Sequence, residues 1–351
     1  MISFYPGPSR VHDDISKWVK AAHQKGVMSL NHRSPEFVAL SKKTIGLLKE
    51  KLGIPEDYTV FFTSSATECW EIIAQSIIHT TSIHFFNGAF GEKWFDYTHR
   101  IKPGATGVRF EIDRELKAEK LNLNEGDLVC ITQNETSNGT QIPSYVMQQI
   151  RKKNPEPLIA IDATSSMAGI QLDFNFADIW FASVQKCFGL PAGLAIMICS
   201  PRAMKRALLL DEKDHYNSLT FMASMMEKWQ TPFTPNVLGI YLLMCCLKEM
   251  DVISATDKKI SERASSWWKF FKGGRNLKML IPSEGVRSQT VIAIVAQPDV
   301  IDRVKLKAVK KGFLLGEGYG DLKKTTFRIA NFPAISGKEI KQLKRFLTDF
   351  L

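Results

Sequence analysis

Residues 158–193 read LIAIDATSSMAGIQLDFNFADIWFASVQKCFGLPAG, and this stretch decides the fold. It contains two short, mainly apolar runs, LIAIDA (158–163) and DIWFAS (178–183), joined by one crossover. Strands that are apolar on both faces are typical of a parallel sheet covered by helices. Asp162 lies near the end of the first run, and Lys186 comes three residues after the end of the second. Open α/β sheets bind their ligands at the carboxyl ends of their strands, so both residues are candidates for a functional site.

Four further runs of the same kind extend the pattern along the chain. They are YTVFFT (58–63), SIHFFN (82–87), DLVCIT (127–132) and LAIMICS (194–200). A helix is expected over residues 66–79, between the first two runs. The sequence therefore predicts an α/β fold whose large domain has a mostly parallel central sheet.

The pattern changes after residue 200 and predicts a smaller second domain. A Pro-rich loop, TPFTPN (231–236), precedes an apolar helix expected over residues 237–250. Beyond it, SQTVIAIVA (288–296), a helix over 300–312 and TTFRIAN (325–331) indicate an α+β unit. We place the large domain at residues 16–240 and the small domain at 241–351, with residues 1–15 folding back onto the small domain.

Composition excludes several classes of protein. The chain has 351 residues, 44% of them hydrophobic and 23% charged, which is ordinary for a globular enzyme. The net charge of +10 is scattered along the chain, so we expect anionic small molecules and not nucleic acid as partners. The opening MISFYPGPSR resembles neither a signal peptide nor a membrane span, which predicts a cytoplasmic protein. Six cysteines without CxxC spacing are interpreted as reduced thiols, and we expect no metal site.

The chemistry is suggested by three strand-end features. A partly desolvated Lys186 would offer a nucleophilic amine able to condense with an aldehyde, although it could also be a solvated strand end. An aspartate at 162 could keep a pyridinium nitrogen protonated, as pyridoxal 5′-phosphate (PLP) requires, or could cap the next helix. The hydroxyl-rich turn TSSATE (63–68) could bind phosphate at a helix N-terminus, or could be an ordinary helix start.

Together these segments resemble a known family, the class-V, fold-type-I PLP-dependent enzymes, and most of all its phosphoserine aminotransferases. FYPGP (4–8) is similar to the family's N-terminal segment, and LNHRSPEF (30–37) to its His-Arg substrate loop. NETSNG (134–139), DATSSMAG (162–169) and SVQKCFG (183–189) resemble its Asn-Glu-Thr, aspartate and Schiff-base lysine segments. The resemblance covers most of the chain and implies a cytoplasmic homodimeric aminotransferase of amino-acid metabolism, of the kind that serves serine biosynthesis.

The resemblance also implies roles for individual residues. Lys186 would carry the cofactor as an aldimine and move the proton, with Asp162 at the pyridine nitrogen. Phe90 would stack on the ring, with Trp94 as the substitute if the register is shifted, and Thr136 would approach the phenolic oxygen. The cofactor phosphate would be bound by Ser65, Ala66, Thr67 and Gln185 of the same subunit and by Thr234 of the neighbouring subunit. The substrate would be bound by His32, Arg33 and Arg328.

The chain departs from the family at two positions that matter for the substrate. Ser65-Ala66-Thr67 stands where the family has a Gly-Gly-Arg turn, and EGYGDLKKTTFR (317–328) lacks the family's C-terminal histidine. The leading hypothesis is amino transfer between a phosphoserine- or glutamate-type amino acid and a 2-oxo acid. The alternatives are a serine- or alanine:glyoxylate-type aminotransferase of the same class and a non-catalytic PLP-binding or basic nucleic-acid-binding protein. Arg328 could also be a surface ion pair at a strand edge.

Overall fold

A computed structural model describes residues 1–117 and 128–351 and contains two main β-sheets. In chain order the strands are β1 (Ile2–Phe4), β2 (Thr59–Thr63), β3 (Ser82–Phe86), β4 (Ala105–Arg109), β5 (Leu128–Thr132), β6 (Asn134–Glu135), β7 (Thr140–Gln141), β8 (Leu158–Asp162), β9 (Ile179–Ser183), β10 (Ala195–Cys199), β11 (Lys278–Met279), β12 (Val291–Val295), β13 (Phe313–Glu317) and β14 (Thr326–Ala330).

Helices flank both sheets. The α-helices are α1 (Ile15–Gln24), α2 (Pro35–Leu52), α3 (Ala66–Ser76), α4 (Ala89–Ile101), α5 (Ser144–Lys153), α6 (Pro201–Leu210), α7 (Leu219–Met226), α8 (Val237–Glu249), α9 (Ile253–Phe271), α10 (Pro298–Lys310) and α11 (Gly337–Leu347). None of the helices in the two described ranges is both long and apolar enough to cross a membrane.

The larger sheet has seven strands in the order β2-β10-β9-β8-β5-β3-β4. Its strands pair in parallel except β10, which is antiparallel to both of its neighbours. Every residue of β5, β8, β9 and β10 is buried, as the continuously apolar runs predicted. The predicted α/β fold with a mostly parallel central sheet is confirmed. Asp127, which opens one predicted run, lies outside the described residues.

The smaller sheet has five strands in the order β1-β13-β14-β12-β11. Its first strand comes from the start of the chain, since Ile2 pairs with Phe313 and Phe4 with Leu315. The predicted boundary between residues 240 and 241 lies inside α8, a helix that packs against α2 and α1. That boundary therefore stays a prediction.

Local sequence explains how the helix that borders the site begins. Ser65 caps α3, because its hydroxyl accepts a hydrogen bond from the Glu68 N–H at 3.0 Å. The Glu68 carboxylate accepts in turn from the Ser64 N–H at 2.6 Å and the Ser64 hydroxyl at 2.7 Å. These bonds fix the turn between β2 and α3, so that residues 64–67 face the carboxyl edge of the large sheet.

Candidate active site

A cavity of about 280 Å³ opens where the strands of the large sheet end. Residues of the β2–α3 turn, the start of α4, and the ends of β5, β8 and β9 line it. Eight of the predicted site residues lie in this lining: Ser65, Ala66, Thr67, Phe90, Thr136, Asp162, Gln185 and Lys186. The strand-end pattern therefore brings to one place residues that are as far apart along the chain as Ser65 and Lys186.

Lys186 is buried at the centre of this cavity, with 6% of its surface exposed. Its Nζ donates a hydrogen bond to Thr136 Oγ1 at 2.6 Å and lies 4.9 Å from the centre of the Phe90 ring. Desolvation lowers the pKa of Lys186 to about 8, although the charges of Asp162 and Glu135 act in the opposite direction. The interpretation of Lys186 as a solvated strand end is therefore wrong.

Asp162 ends β8 and is also buried, with 5% exposure. Its Oδ1 accepts a hydrogen bond from the Thr164 N–H at 2.8 Å, and the residues that follow form turns, not a helix. Burial raises the pKa of Asp162, while the hydrogen bonds from Thr164 and the charge of Lys186 oppose that rise. The helix-cap alternative for Asp162 is therefore wrong, and its carboxylate faces the same cavity as the lysine.

Two polar groups of the β2–α3 turn already have partners in the protein. The Ser65 hydroxyl caps α3, and the Ala66 N–H donates to Ser183 Oγ at 2.8 Å. By contrast, Thr132 Oγ1 and Asn134 Oδ1 are buried and have no hydrogen-bond partner among the described residues. Both belong to residues that line the cavity. Buried polar atoms rarely stay unpaired, so the cavity is built for a polar occupant.

Phe90, and not Trp94, occupies the position beside Lys186. Trp94 lies one turn further along α4 and is fully buried against Phe181, with ring centres 5.1 Å apart. It also packs edge-on against His84. The alternative register, in which Trp94 would face the ring of a cofactor, is therefore wrong.

Arg328 lies in β14 of the small sheet and reaches the mouth of the site. Its Nε donates to the Glu317 carbonyl and its Nη1 to the Thr136 carbonyl, both at 2.7 Å. It is 5% exposed and forms no ion pair with a carboxylate of the described residues. The alternative of a surface ion pair is wrong. Together with Thr136, Gln185 and Lys186, this arginine lines a second cavity of about 460 Å³ that continues from the first.

Three predicted residues lie apart from both cavities. Arg33 is held against the loop that contains Thr234, because its Nη1 donates to Gln230 Oε1 at 2.9 Å and its Nη2 to the Pro232 carbonyl at 3.4 Å. His32 adjoins it, and none of His32, Arg33 and Thr234 contributes to the lining around Lys186. They form one surface patch, so within a single chain they do not complete the site.

The N-terminal segment is a wall of the site that the sequence did not predict. After β1 the chain passes over the lysine, and a Cβ added at Gly7 would lie 3.1 Å from Lys186 Cε. Ser9 anchors the segment, since its N–H and its hydroxyl each donate to the Gln185 carbonyl at 3.0 Å. The prolines and glycine of FYPGP were a signal for close backbone approach.

Comparison with known proteins agrees with this geometry. The family model described as Aminotransferase class-V matches residues 98–297, more than half of the chain. The chain belongs to the class-V aminotransferase family. The predicted fold class is thereby supported a second time, and the resemblance stated from the sequence is confirmed.

Class-V aminotransferases similar to this chain include two proteins named phosphoserine aminotransferase. The one from Rhodococcus opacus (strain B4) is 25% identical over 349 residues, which cover 97% of this chain and 92% of the relative. A crystal structure of the one from Cytophaga hutchinsonii superposes with a TM-score of 0.93 at 29% identity, covering 99% of this chain and 98% of the other. An aspartate aminotransferase from Thermus thermophilus, 20% identical with a TM-score of 0.86 and full coverage of both chains, shares the fold.

Proposed function

We propose that this class-V aminotransferase uses PLP on Lys186 to move an amino group between a phosphoserine- or glutamate-type amino acid and a 2-oxo acid. The observation that carries the proposal is the buried amine of Lys186, whose pKa is lowered to about 8, in one cavity with the Asp162 carboxylate. An amine of this kind is nucleophilic near neutral pH. The names of the similar proteins support the choice of substrate.

The residues of the cavity fit this cofactor. Phe90 offers an aromatic face, Asp162 a buried carboxylate, and Thr136 a hydroxyl beside the lysine amine. The β2–α3 turn with Gln185 offers hydroxyls, an amide and a helix N-terminus where a phosphate would bind. The unpaired Thr132 and Asn134 oxygens supply further polar contacts. When bound, PLP supplies an electron sink for the substrate's Cα electrons, which the protein alone lacks.

The chain's own residues handle the proton and the carboxylate. Lys186 Nζ, held at 2.6 Å from Thr136 Oγ1, can take a proton because burial favours its neutral form. The Arg328 guanidinium is the buried cation available at the mouth for an α-carboxylate, since backbone carbonyls and not carboxylates hold it in place. Arginine suits this task because its planar fork matches a carboxylate.

A second copy of the chain would complete the site. His32, Arg33 and Thr234 share one surface patch and do not reach the cavity of their own chain. In a homodimer this patch would bring Thr234 to the cofactor phosphate and the His32–Arg33 pair to the substrate of the neighbouring subunit. The expected solution state is a dimer, which sedimentation equilibrium measures directly.

The glyoxylate-type alternative rests on one observation of its own. Thr67 lines the cavity where an arginine would have carried a charge for a phosphorylated substrate. With one cation fewer, a small neutral side chain such as that of serine or alanine would be accommodated. The amino donor is therefore the point on which the two candidate functions differ.

Half-reactions test the proposal directly. Purified holoenzyme is mixed in turn with phosphoserine, glutamate, serine and alanine, and the near-ultraviolet absorbance of the cofactor is followed. We expect conversion with phosphoserine and glutamate, whereas conversion only with serine or alanine would favour the glyoxylate type. Borohydride treatment followed by peptide mass spectrometry should locate the cofactor on Lys186 and find no label in Lys186→Ala. Equal labelling of that variant would refute the anchor, and no conversion with any amino acid would refute amino transfer.

A further inference from the structure

Tyr319 lies at the centre of a cluster of rings and cations at the mouth of the site. Its ring centre is 5.4 Å from that of Phe90 and 5.7 Å from the Arg328 guanidinium carbon. Its hydroxyl accepts a hydrogen bond from Lys93 Nζ at 2.6 Å. Tyr319 is therefore in contact with both the buried Arg328 and the ammonium of Lys93.

Lys93 is a cation with no carboxylate partner among the described residues. It lines the cavity around Lys186, while Lys323 lines the adjoining mouth cavity with Tyr319 and Arg328. Glu317 also lines the mouth, but its carboxylate forms an ion pair with Lys305. Within residues 1–117 and 128–351, neither Lys93 nor Lys323 pairs with a carboxylate, and the hydrogen bond to Tyr319 raises the pKa of Lys93, which keeps it charged.

The loop that carries Tyr319 is fixed by its neighbours. A Cβ at Gly318 would lie 2.3 Å from the Leu322 carbonyl oxygen and 2.4 Å from Thr326 Oγ1. Gly320 has a φ of 53°, a conformation that side chains disfavour. Gly318 lets the chain pass close to Thr326 of β14, Gly320 permits the left-handed turn that follows, and Tyr319 between them lines the mouth of the site.

We propose that Lys93, positioned by Tyr319 and assisted by Lys323, binds the second anionic group of a substrate whose α-carboxylate binds Arg328. The chemical class is an amino acid or oxo acid with a distal phosphate or carboxylate. This inference rests on the proposed function, because it takes the mouth to be the substrate site. It places the distal charge on α4 of the same chain, in addition to the His32–Arg33 patch that a second copy would bring.

A non-reacting pair of ligands isolates the distal group. 3-Phosphoglycerate and glycerate share one carboxylate and differ by a phosphate, and neither has the amine or the 2-oxo group that amino transfer requires. Their dissociation constants are measured on the holoenzyme by titration calorimetry, for the wild type and for Lys93→Met, Lys93→Arg and Lys341→Met. Lys341 is an exposed lysine of α11 outside both cavities, so its replacement removes one charge without touching the site.

We expect the wild type to bind 3-phosphoglycerate more tightly than glycerate. In Lys93→Met the ratio of the two dissociation constants should fall about tenfold, which corresponds to about 1.4 kcal/mol. Lys93→Arg should retain it within about threefold, and Lys341→Met should leave it unchanged. A wild type without preference, or a Lys93→Met variant with the full preference, would overturn the subsite. So would complete loss of the preference in Arg33→Met alone. Because binding is measured without amine transfer, a failed half-reaction refutes the proposed function and not this subsite.

Discussion

Replacing Asp162 by asparagine should make Lys186 less basic, not more. In the folded chain the negative charge of Asp162 is the largest influence that raises the pKa of the lysine against desolvation. Asparagine keeps the shape and can still accept the hydrogen bond from the Thr164 N–H. Glu135 remains to raise the pKa and Arg328 to lower it. Without the Asp162 charge, the pKa of Lys186 should fall below its value of about 8.

The difference in reactivity between Lys186 and an exposed lysine follows from the lowered pKa of Lys186. With a pKa of about 8 instead of the ordinary 10.5, about a quarter of the Lys186 side chains are neutral at pH 7.5. For an exposed lysine the neutral share is about one in a thousand at that pH. Lys186 should therefore react with small aldehydes roughly two hundred times faster than an exposed lysine of equal nucleophilicity and access.

The assay is reductive methylation of cofactor-free protein with formaldehyde and cyanoborohydride, followed by peptide mass spectrometry across a range of pH. Lys341 serves as the internal standard, and Asp349→Asn, an exposed residue, is the matched control variant. The labelling rate of Lys186 should reach half its maximum near pH 8 in the wild type and in Asp349→Asn, and at lower pH in Asp162→Asn. A midpoint near the ordinary lysine value of about 10.4, or an upward shift in Asp162→Asn, would show that burial does not control this amine.

Three further predictions concern turnover, binding and stability. Asp162→Ala should retain part of its cofactor while turnover falls about a hundredfold, and a wild-type rate would rule out the carboxylate's role at the ring. Arg328→Lys should raise the KM for amino acids by about tenfold or more with little change in kcat, because lysine cannot reproduce the fork; steady-state kinetics measures both. Gly318→Ala should lower the free energy of unfolding by about 1–3 kcal/mol in chemical denaturation, because its Cβ would meet the Leu322 carbonyl oxygen at 2.3 Å. Gly337→Ala, which would meet nothing within 4 Å, is the control, and equal losses would contradict the steric argument.

The buried strands and their functional ends could be predicted from the sequence because burial on both faces leaves a simple pattern. β8 is apolar up to its last residue, Asp162, and β9 is apolar up to Ser183, three residues before Lys186. No such signal marks β4, an edge strand with one buried residue and four exposed ones. Edge strands lack the apolar run, so β4 was missed.

Contacts across the mouth were missed for a different reason. Lys93 and Tyr319 are 226 positions apart, and nothing local to either residue predicts that they meet. The same holds for Gly7 above Lys186, which depends on β1 joining β13. The sequence could not show whether Phe90 or Trp94 lies beside Lys186, because this depends on which face of α4 packs against the sheet. The packing of Trp94 against Phe181 shows that Trp94 belongs to the face that packs against the sheet.

The pairing of β1 with β13 has a consequence for biosynthesis. Ile2 lies opposite Phe313, so β1 leaves the ribosome about 310 residues before the strand with which it pairs. Until then the segment that passes over Lys186 has no anchor in the small sheet. Contacts between such distant positions form slowly, because the entropy of closing a long loop is lost before the contacts stabilise the structure. The nascent enzyme should therefore acquire its large sheet first and its finished pocket last.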